Sequence, residues 1–572
     1  MNFKKFLIGA APALLLASCA SEDMPDNPDN GKTGNLYTTV KLHMATSNRS
    51  TTGDYDGNTN SSDGFEIGKD RENTISNMTV VLATKDADGI GYTPLASSTK
   101  YVATMPDPVN GNYTILFEDQ EIIAAAEKDV YVFAFCNTTV DLDNALDVVT
   151  NGIASISSDN APIWQDDNFM MLNAPNTTLT AVKMPTEKEL LNNYNSAEKA
   201  FNLGTVDVAR VAARLDFKNN NTPNNTYDIK DVNDDNATVA QVQFVGMAPI
   251  NIAKDFYYLP RVSADGTNHN WNICGTETNN NYVVSPNFDL KASSPLGNEI
   301  LGKYLHQLNS GNLSALNYTS LATFDGEDDN DDNWGNGQSA GFNKEGYKIW
   351  RYVTENTIPG KDNQKRGITT GVVFKAEIIN PQLDVLKKTM EEGRAIYQYN
   401  GVFYGDVNSL RLMAAKQSTG SKFYQDFVAV FGEAAMKHEV KDSENGKIYK
   451  FEIETLPEDY QSNNTVNGKN VYKIYRPTVE GGANHYYVYY TYYNRHNDNG
   501  NNNEMGTMEF GTVRNNIYKL AINSVSRFGH TDNPDDDDDP DTPDTPDEDP
   551  KTYFKVSCRV LPWMVRINNI DF

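Results

Sequence analysis

Along most of this chain apolar residues alternate with polar ones, and few stretches show the three-to-four spacing of a helix. Leu36, Thr38, Val40, Leu42 and Met44 alternate against Tyr37, Thr39, Lys41 and His43, which predicts a half-buried strand. The same reading predicts strands over 75–83, 130–136, 169–172, 206–217, 239–245, 371–378, 448–453, 486–493 and 517–524. Asn110-Gly111, set between 101–105 and 113–117, is a hairpin signal. Two helices are expected. One covers 187–200, with Thr186 and Glu189 in the capping-box spacing, and the other covers 381–393, where Leu383, Val385, Leu386 and Met390 share a face. The Asn-rich stretch 218–225 marks a boundary between units 36–222 and 223–530. The expected class is all-β dominated, two tandem β-sandwich domains with a few short helices.

The two ends of the chain change this picture. Lys4 and Lys5 precede an apolar run over 6–16 that is too short to span a bilayer, so 1–18 reads as a signal peptide. The run ends in Leu16-Ala17-Ser18-Cys19, which resembles the bacterial lipobox, with the Cys19 thiol as lipid acceptor. Ser21-Glu22-Asp23 looks like the surface-export tag of Bacteroidales lipoproteins, and 19–35 is a polar tether. After the first strand, 45–63 is a long polar loop with one basic residue, Arg49. Such loops are where proteases cut, which makes the Arg49-Ser50 bond a candidate; an ordinary solvated arginine is the plain alternative.

At the other end, 531–550 is almost only Asp, Pro and Thr. Charge repulsion and polyproline geometry extend such an arm to about 3.1 Å per residue, on the order of 55 Å in all. A domain of ~180 residues is roughly 40 Å across, so the arm can carry the last segment of the chain beyond its own domain. That segment, 551–572, is strand-like: Phe554, Val556, Cys558 and Val560 share one face, and Trp563, Val565 and Ile567 continue it after Pro562. A lone amphipathic strand on a flexible lead needs a sheet to complete it. Folding back as an edge of its own domain is the alternative to donation.

Composition removes several functions. The net charge of −28 argues against nucleic acid and against adsorption to anionic lipid. Apart from Cys19, the cysteines are Cys136, Cys274 and Cys558, an odd and widely spaced set that gives no disulfide framework or zinc motif. Cys136 closes the apolar run 132–135 and reads as a small buried hydrophobe. Asp328, Asn330 and Asp332 suggest a calcium loop, but Asn333 and Ser339 stand where Gly and Glu are required. Gly335, Gly337 and Ala340 have no preceding strand and do not make a dinucleotide site. No His-Glu-x-x-His or Gly-x-Ser-x-Gly motif is present, so the chain reads as a non-enzyme without a cofactor. Arg514, Asn515 and Asn516 read as a turn with buried hydrogen bonds.

Four segments resemble the Bacteroidales type V pilins, or fimbrillins, most closely the minor-fimbrium (Mfa) shaft type. They are Val513-Arg514-Asn515-Asn516-Ile517-Tyr518 with Phe528-Gly529, the acidic arm and Val560-Leu561-Pro562-Trp563; Lys365-Arg366-Gly367 before 371–376; Ala209-Arg210-Val211-Ala212-Ala213-Arg214; and 131–137. The resemblance implies transthyretin-like sandwiches, cleavage after Arg49 by an Arg-specific protease, and loss of a first strand carrying Leu36, Val40, Leu42 and Met44. The donor strand, Phe554 to Ile567, of another copy would then fill the vacated groove, giving a head-to-tail polymer. It further implies an outer-membrane lipoprotein precursor that becomes an extracellular fimbria. Tip and anchor subunits and host or bacterial surface receptors are its other expected partners. The competing reading is a glycan-binding surface lipoprotein, motivated by 31 Tyr and the cluster at 486–493.

Overall fold

The computed structural model describes residues 35–44, 66–101, 112–118, 120–140, 153–155, 168–174, 179–218, 223–231, 234–263, 271–274, 282–286, 305–306, 313–326, 346–357, 369–443, 446–457, 464–466, 469–496, 508–531 and 554–564. Most of them lie in strands, as the alternation predicts. The main ones are β1 (Asn35–Met44), β2 (Glu66–Ile67), β3 (Asn77–Lys85), β4 (Tyr92–Tyr101), β5 (Asn112–Glu118), β6 (Asp129–Cys136), β7 (Met171–Asn173) and β8 (Phe201–Arg210) in the amino-terminal part. They are followed by β9 (Ala212–Lys218), β10 (Thr226–Asp231), β11 (Asp234–Ile250), β12 (Lys348–Thr354), β13 (Gly371–Ile379), β14 (Ala483–Tyr493), β15 (Asn516–Val525) and β16 (Phe554–Met564).

The first sheet has the order β4-β3-β6-β7-β8-β1-β5. It curls far enough for its two ends to meet: Ser98 on β4 donates to Leu116 O on β5, and Lys100 Nζ donates to Thr114 O at 2.8 Å. Val80, Ile115, Phe117, Phe133 and Phe135 fill the space inside. A second pair of sheets, β2-β16-β15-β9-β12 and β10-β11-β13-β14, encloses another core that includes Leu215, Phe217, Phe244, Phe374, Tyr490 and Leu520. There Phe244 and Phe374 meet edge to face at 6.1 Å, the geometry their quadrupoles favour.

The run 206–217, read as one strand, is two. β8 belongs to the first sheet and β9 to the second, and the chain passes from one to the other at Val211. The change of sheet therefore precedes the Asn-rich stretch 218–225. Nor do the cores divide at 222: Phe256, Leu259, Ile273 and Cys274 join the first core, and Asp255–Tyr257 pairs with Ile153–Ser155. Within 231–345, which has no predicted role, Arg261 is stacked between Tyr257 (3.7 Å) and Trp271 (3.8 Å).

The turn of the expected hairpin, Asn110-Gly111, lies outside the described residues. On either side of it, β4 pairs with β3 and β5 pairs with β1. The first expected helix is shorter than read, Glu187–Asn193, and its capping box is present, with Thr186 Oγ1 accepting from Glu189 N. The second is Asp384–Glu391. Helices Val407–Ala415, Lys422–Phe431 and Glu433–Met436 escaped the sequence reading. The sequence KFYQDFVAVF is aromatic and β-branched, a strand-like composition, and tertiary packing of Phe427, Val430 and Phe431 against Leu410 and Tyr472 decides it instead.

Candidate assembly site

β1 lies inside its sheet, not at an edge. It pairs antiparallel with β5 from Asn35↔Glu118 to Lys41↔Asn112, and parallel with β8 from Thr38↔Phe201 to Met44↔Val208. The parallel ladder shifts between Thr39 and Lys41, opposite Gly204, whose φ of +89° is a left-handed value that suits glycine. The alternation read from sequence is realised as burial: Leu36 is 2%, Thr38 0%, Val40 0% and Leu42 1% exposed. Thr38 is a polar residue on this inward row, and its hydroxyl donates to Ile115 O at 3.2 Å. Removing β1 therefore leaves an apolar slot between β5 and β8 with unsatisfied backbone groups on both walls.

β16, the candidate donor, is paired in this single chain with its own β15, antiparallel from Asn516↔Pro562 to Val525↔Phe554. The ladder ends at Pro562, and its one irregularity falls between Ile522 and Ser524 on the partner strand. The fold-back arrangement is thus the one adopted by the isolated chain. On its other side, Trp563 and Met564 pair parallel with Glu66 and Ile67 of β2. Cys19, Arg49, Ser50, Val565 and Ile567 lie outside the described residues, as do the side chains of Met44 and of Phe554 through Trp563.

A buried polar cluster joins the two ends. Arg214 on β9 donates to Glu72 Oε2 at 3.1 Å and to both carboxylate oxygens of Asp216 at 2.8 Å, with all three side chains fully buried. Arg210, the last residue of β8, donates to Glu72 O at 3.0 Å and to Asn515 Oδ1 at 3.1 Å. Burial alone would raise the Glu72 carboxyl, but Arg214, the Tyr352 hydroxyl, Arg210 and the Lys69 N–H together hold it below its ordinary value. Burial pushes Arg210 down to about 9 despite the Glu72 charge. Next to this cluster, Arg514 donates to Glu355 at 3.1 Å and to the carbonyls of Tyr257 (2.7 Å) and Tyr258 (2.9 Å). Asn515 has φ +57°, and Asn516 Nδ2 donates to Arg514 O at 2.9 Å, the expected turn with its buried hydrogen bonds.

Sequence reasoning singled out Arg210, Arg214 and Arg514 but missed Glu72, Asp216 and Glu355. The signal was there: two arginines inside apolar strand runs require buried acceptors. The Tyr cluster at 486–493 is largely structural. Tyr486 and Tyr490 are buried and donate to Arg394 O (2.7 Å) and Arg527 O (2.9 Å). Burial pushes the Cys136 and Cys274 thiols up to about 12, consistent with the packing role expected of Cys136. Asp325 pairs with Lys348 at 2.7 Å, while Asp328, Asn330 and Asp332 lie outside the described residues. Among the described residues no helix is long and apolar enough to cross a membrane.

Residues 484–569, which include most of β14 and all of β15 and β16, match the family model described as major fimbrial subunit protein type IV, fimbrillin, C-terminal. No curated protein matches the chain. Solved structures similar to it include a putative cell adhesion protein from Parabacteroides distasonis, 12% identical over 94% of this chain and 99% of that one, with a TM-score of 0.37. Others are a fimbrilin from Porphyromonas gingivalis, 12% identical over 93% and 99% with a TM-score of 0.35, and the tip fimbrial protein Mfa3 of that organism, 9% identical over 92% and 100% with a TM-score of 0.29. Through its last long strands and the turn that sets them, residues 484–569 of the chain are similar to the carboxy-terminal region of fimbrillins.

Proposed function

We propose that this chain is a shaft subunit of a cell-surface fimbria, exported as an outer-membrane lipoprotein through Cys19 and cut after Arg49. The terminal strand of one copy then takes the place of β1 in the next. The observation that carries this reading is the position of β1, inside a sheet with a ladder on each side and an inward apolar row. Only a strand of similar character restores such a slot. The cut at Arg49 falls between β1 and β2, so it separates β1 and everything before it from the rest of the chain.

The connection from β15 to β16 supports the same reading. Val525 and Phe554 are direct ladder partners, yet the chain between them is far longer than the two to five residues a hairpin needs. That excess length is what a strand needs to reach a neighbour. Three inward apolar side chains of β1 each contribute about 1.5–3 kcal/mol on burial, so an unfilled slot is costly and a filled one persists.

Electron microscopy of surface filaments with mass spectrometry of their subunits tests this. Mature subunits are expected to begin at Ser50, and Arg49→Ala is expected to abolish ladders of polymer on an unheated denaturing gel. Filaments built from subunits that keep 36–44 exclude the scheme. Deleting 553–572 is expected to give folded monomers; fibres from that truncation would assign donation to another segment.

A further inference from the structure

A strand at the edge of a sheet unzips from one of its ends. The end of β16 nearer Phe554 emerges from the acidic arm; the other end, Trp563 and Met564, is clipped by β2. From Phe554 to Pro562 only β15 holds it by ladder pairs among the described residues.

Two ladder pairs hold little by themselves, and the strength of the clip lies in the short helix beyond it. That helix, Asp70–Asn73, begins within three residues of β2 and ties it to the domain junction. Glu72 accepts from Lys69 N at 2.6 Å, Tyr352 Oη at 2.5 Å and Arg214 Nη1 at 3.1 Å, and its backbone carbonyl accepts from Arg210 Nε. Asn73 Nδ2 donates to Gly68 O at 3.2 Å, and Asn73 Oδ1 accepts from Arg210 Nη2. Arg210 also holds Asn515, the turn residue from which β15 starts. Clip, junction and the partner strand of the tail are therefore one connected piece.

We propose that Glu66–Asn73 is an autoinhibitory latch that keeps the terminal strand in its own sheet. The same covalent stretch has β1 at one end and the latch at the other, joined by the loop that contains Arg49. While that loop is intact, β2 is tethered from both directions. Once it is cut, only the Asp70–Asn73 side holds it. The cleavage that vacates the acceptor slot thus also loosens the donor, so that the two become available together. This consequence rests on the proposed function; the clip itself rests on the pairing.

Amide hydrogen exchange on the full unprocessed chain and on the chain cut after Arg49 tests the latch. Successive strand residues point their N–H groups to opposite sides, so the double substitution Glu66→Pro with Ile67→Pro removes whichever of the two amides faces β16 and spares the side chains of the buried cluster; Glu72→Gln weakens the anchor instead. In both variants protection of 554–564 is expected to fall at least about tenfold, the equivalent of one ladder bond at the top of its net range, while Asp129–Cys136 stays protected. Cutting the parent is expected to move it in the same direction. Unchanged protection of 554–564 in the double-proline chain overturns the latch, even if Glu72→Gln lowers protection everywhere by loosening the fold. The donor reading fails separately, if chains lacking 553–572 still polymerise. In that case the latch still shows itself by exchange in the monomer.

Discussion

The first and last strands are both amphipathic in sequence, yet their sheets hold them differently. β1 has seven ladder pairs with β5 and six with β8, so it leaves only if the sheet opens on both sides. β16 has nine pairs with β15 and two with β2, so it leaves by unzipping one long side once a short clip gives way. A two-sided strand that stays covalently attached is recaptured at high effective concentration, and cutting the chain removes that advantage. The terminal strand is held along most of its length on one side alone among the described residues. Position in the sheet thus distinguishes a strand held on both sides along its length from one held mainly on one side.

The strongest challenge to this contrast is to damage each strand in turn. Val40→Asp puts a charge at a 0% exposed position between two ladders, and is expected to cost more than about 4 kcal/mol and unfold the first core. Deleting 553–572 is expected to leave both cores folded, since among the described residues β16 pairs only with β15 and the short β2. Calorimetry and near-ultraviolet circular dichroism read both; a Val40→Asp chain that melts like the parent breaks the comparison. Next in size, Arg514→Met leaves Glu355 buried without its cation and is expected to cost about 3–5 kcal/mol, seen as early melting of the second core. A loss under about 1 kcal/mol would mean the turn before β15 is not held by that pair.

Smaller effects sharpen the picture. Thr38→Val removes the bond to Ile115 O and is expected to cost about 1 kcal/mol without changing the register of β1, measurable by denaturant titration. The smallest is a pH effect. Because the Glu72 carboxyl is held below its ordinary value of 4.5, its stabilising contribution is fully present above that value. It is lost as pH falls from there through the depressed folded value. Exchange at 554–564 is expected to rise in that acid window ahead of global unfolding, and Glu72→Gln is expected to remove the difference. Identical acid profiles for parent and variant would take Glu72 out of the account.

Much of the fold was legible because alternation in β1, β11, β13 and β14, and the continuous apolar run in β6, are local signals that burial obeys. What sequence missed is non-local. The run 206–217 looks uniform, and only its two sets of partners show that it crosses between sheets at Val211. The helix 422–431 has a strand-like composition that packing overrides. Glu72 lies in a segment with no period, too short to announce itself, and its importance comes from arginines 138 and 142 residues away. The inward row of β1 was read from its residues, whereas its interior place between β5 and β8 required the ladder.

Cross-linking of polymer grown from equal parts of isotopically light and heavy subunits tests the central claim most directly. Lys555 lies in the terminal strand, and Lys100 and Lys199 lie close to the slot. If the tail of one copy replaces β1 in the next, cross-links from Lys555 to Lys100 or Lys199 will appear in mixed light–heavy pairs in assembled material. If polymer instead shows Lys555 joined only to its own subunit, next to Asn516–Val525, strand exchange is not how this chain assembles.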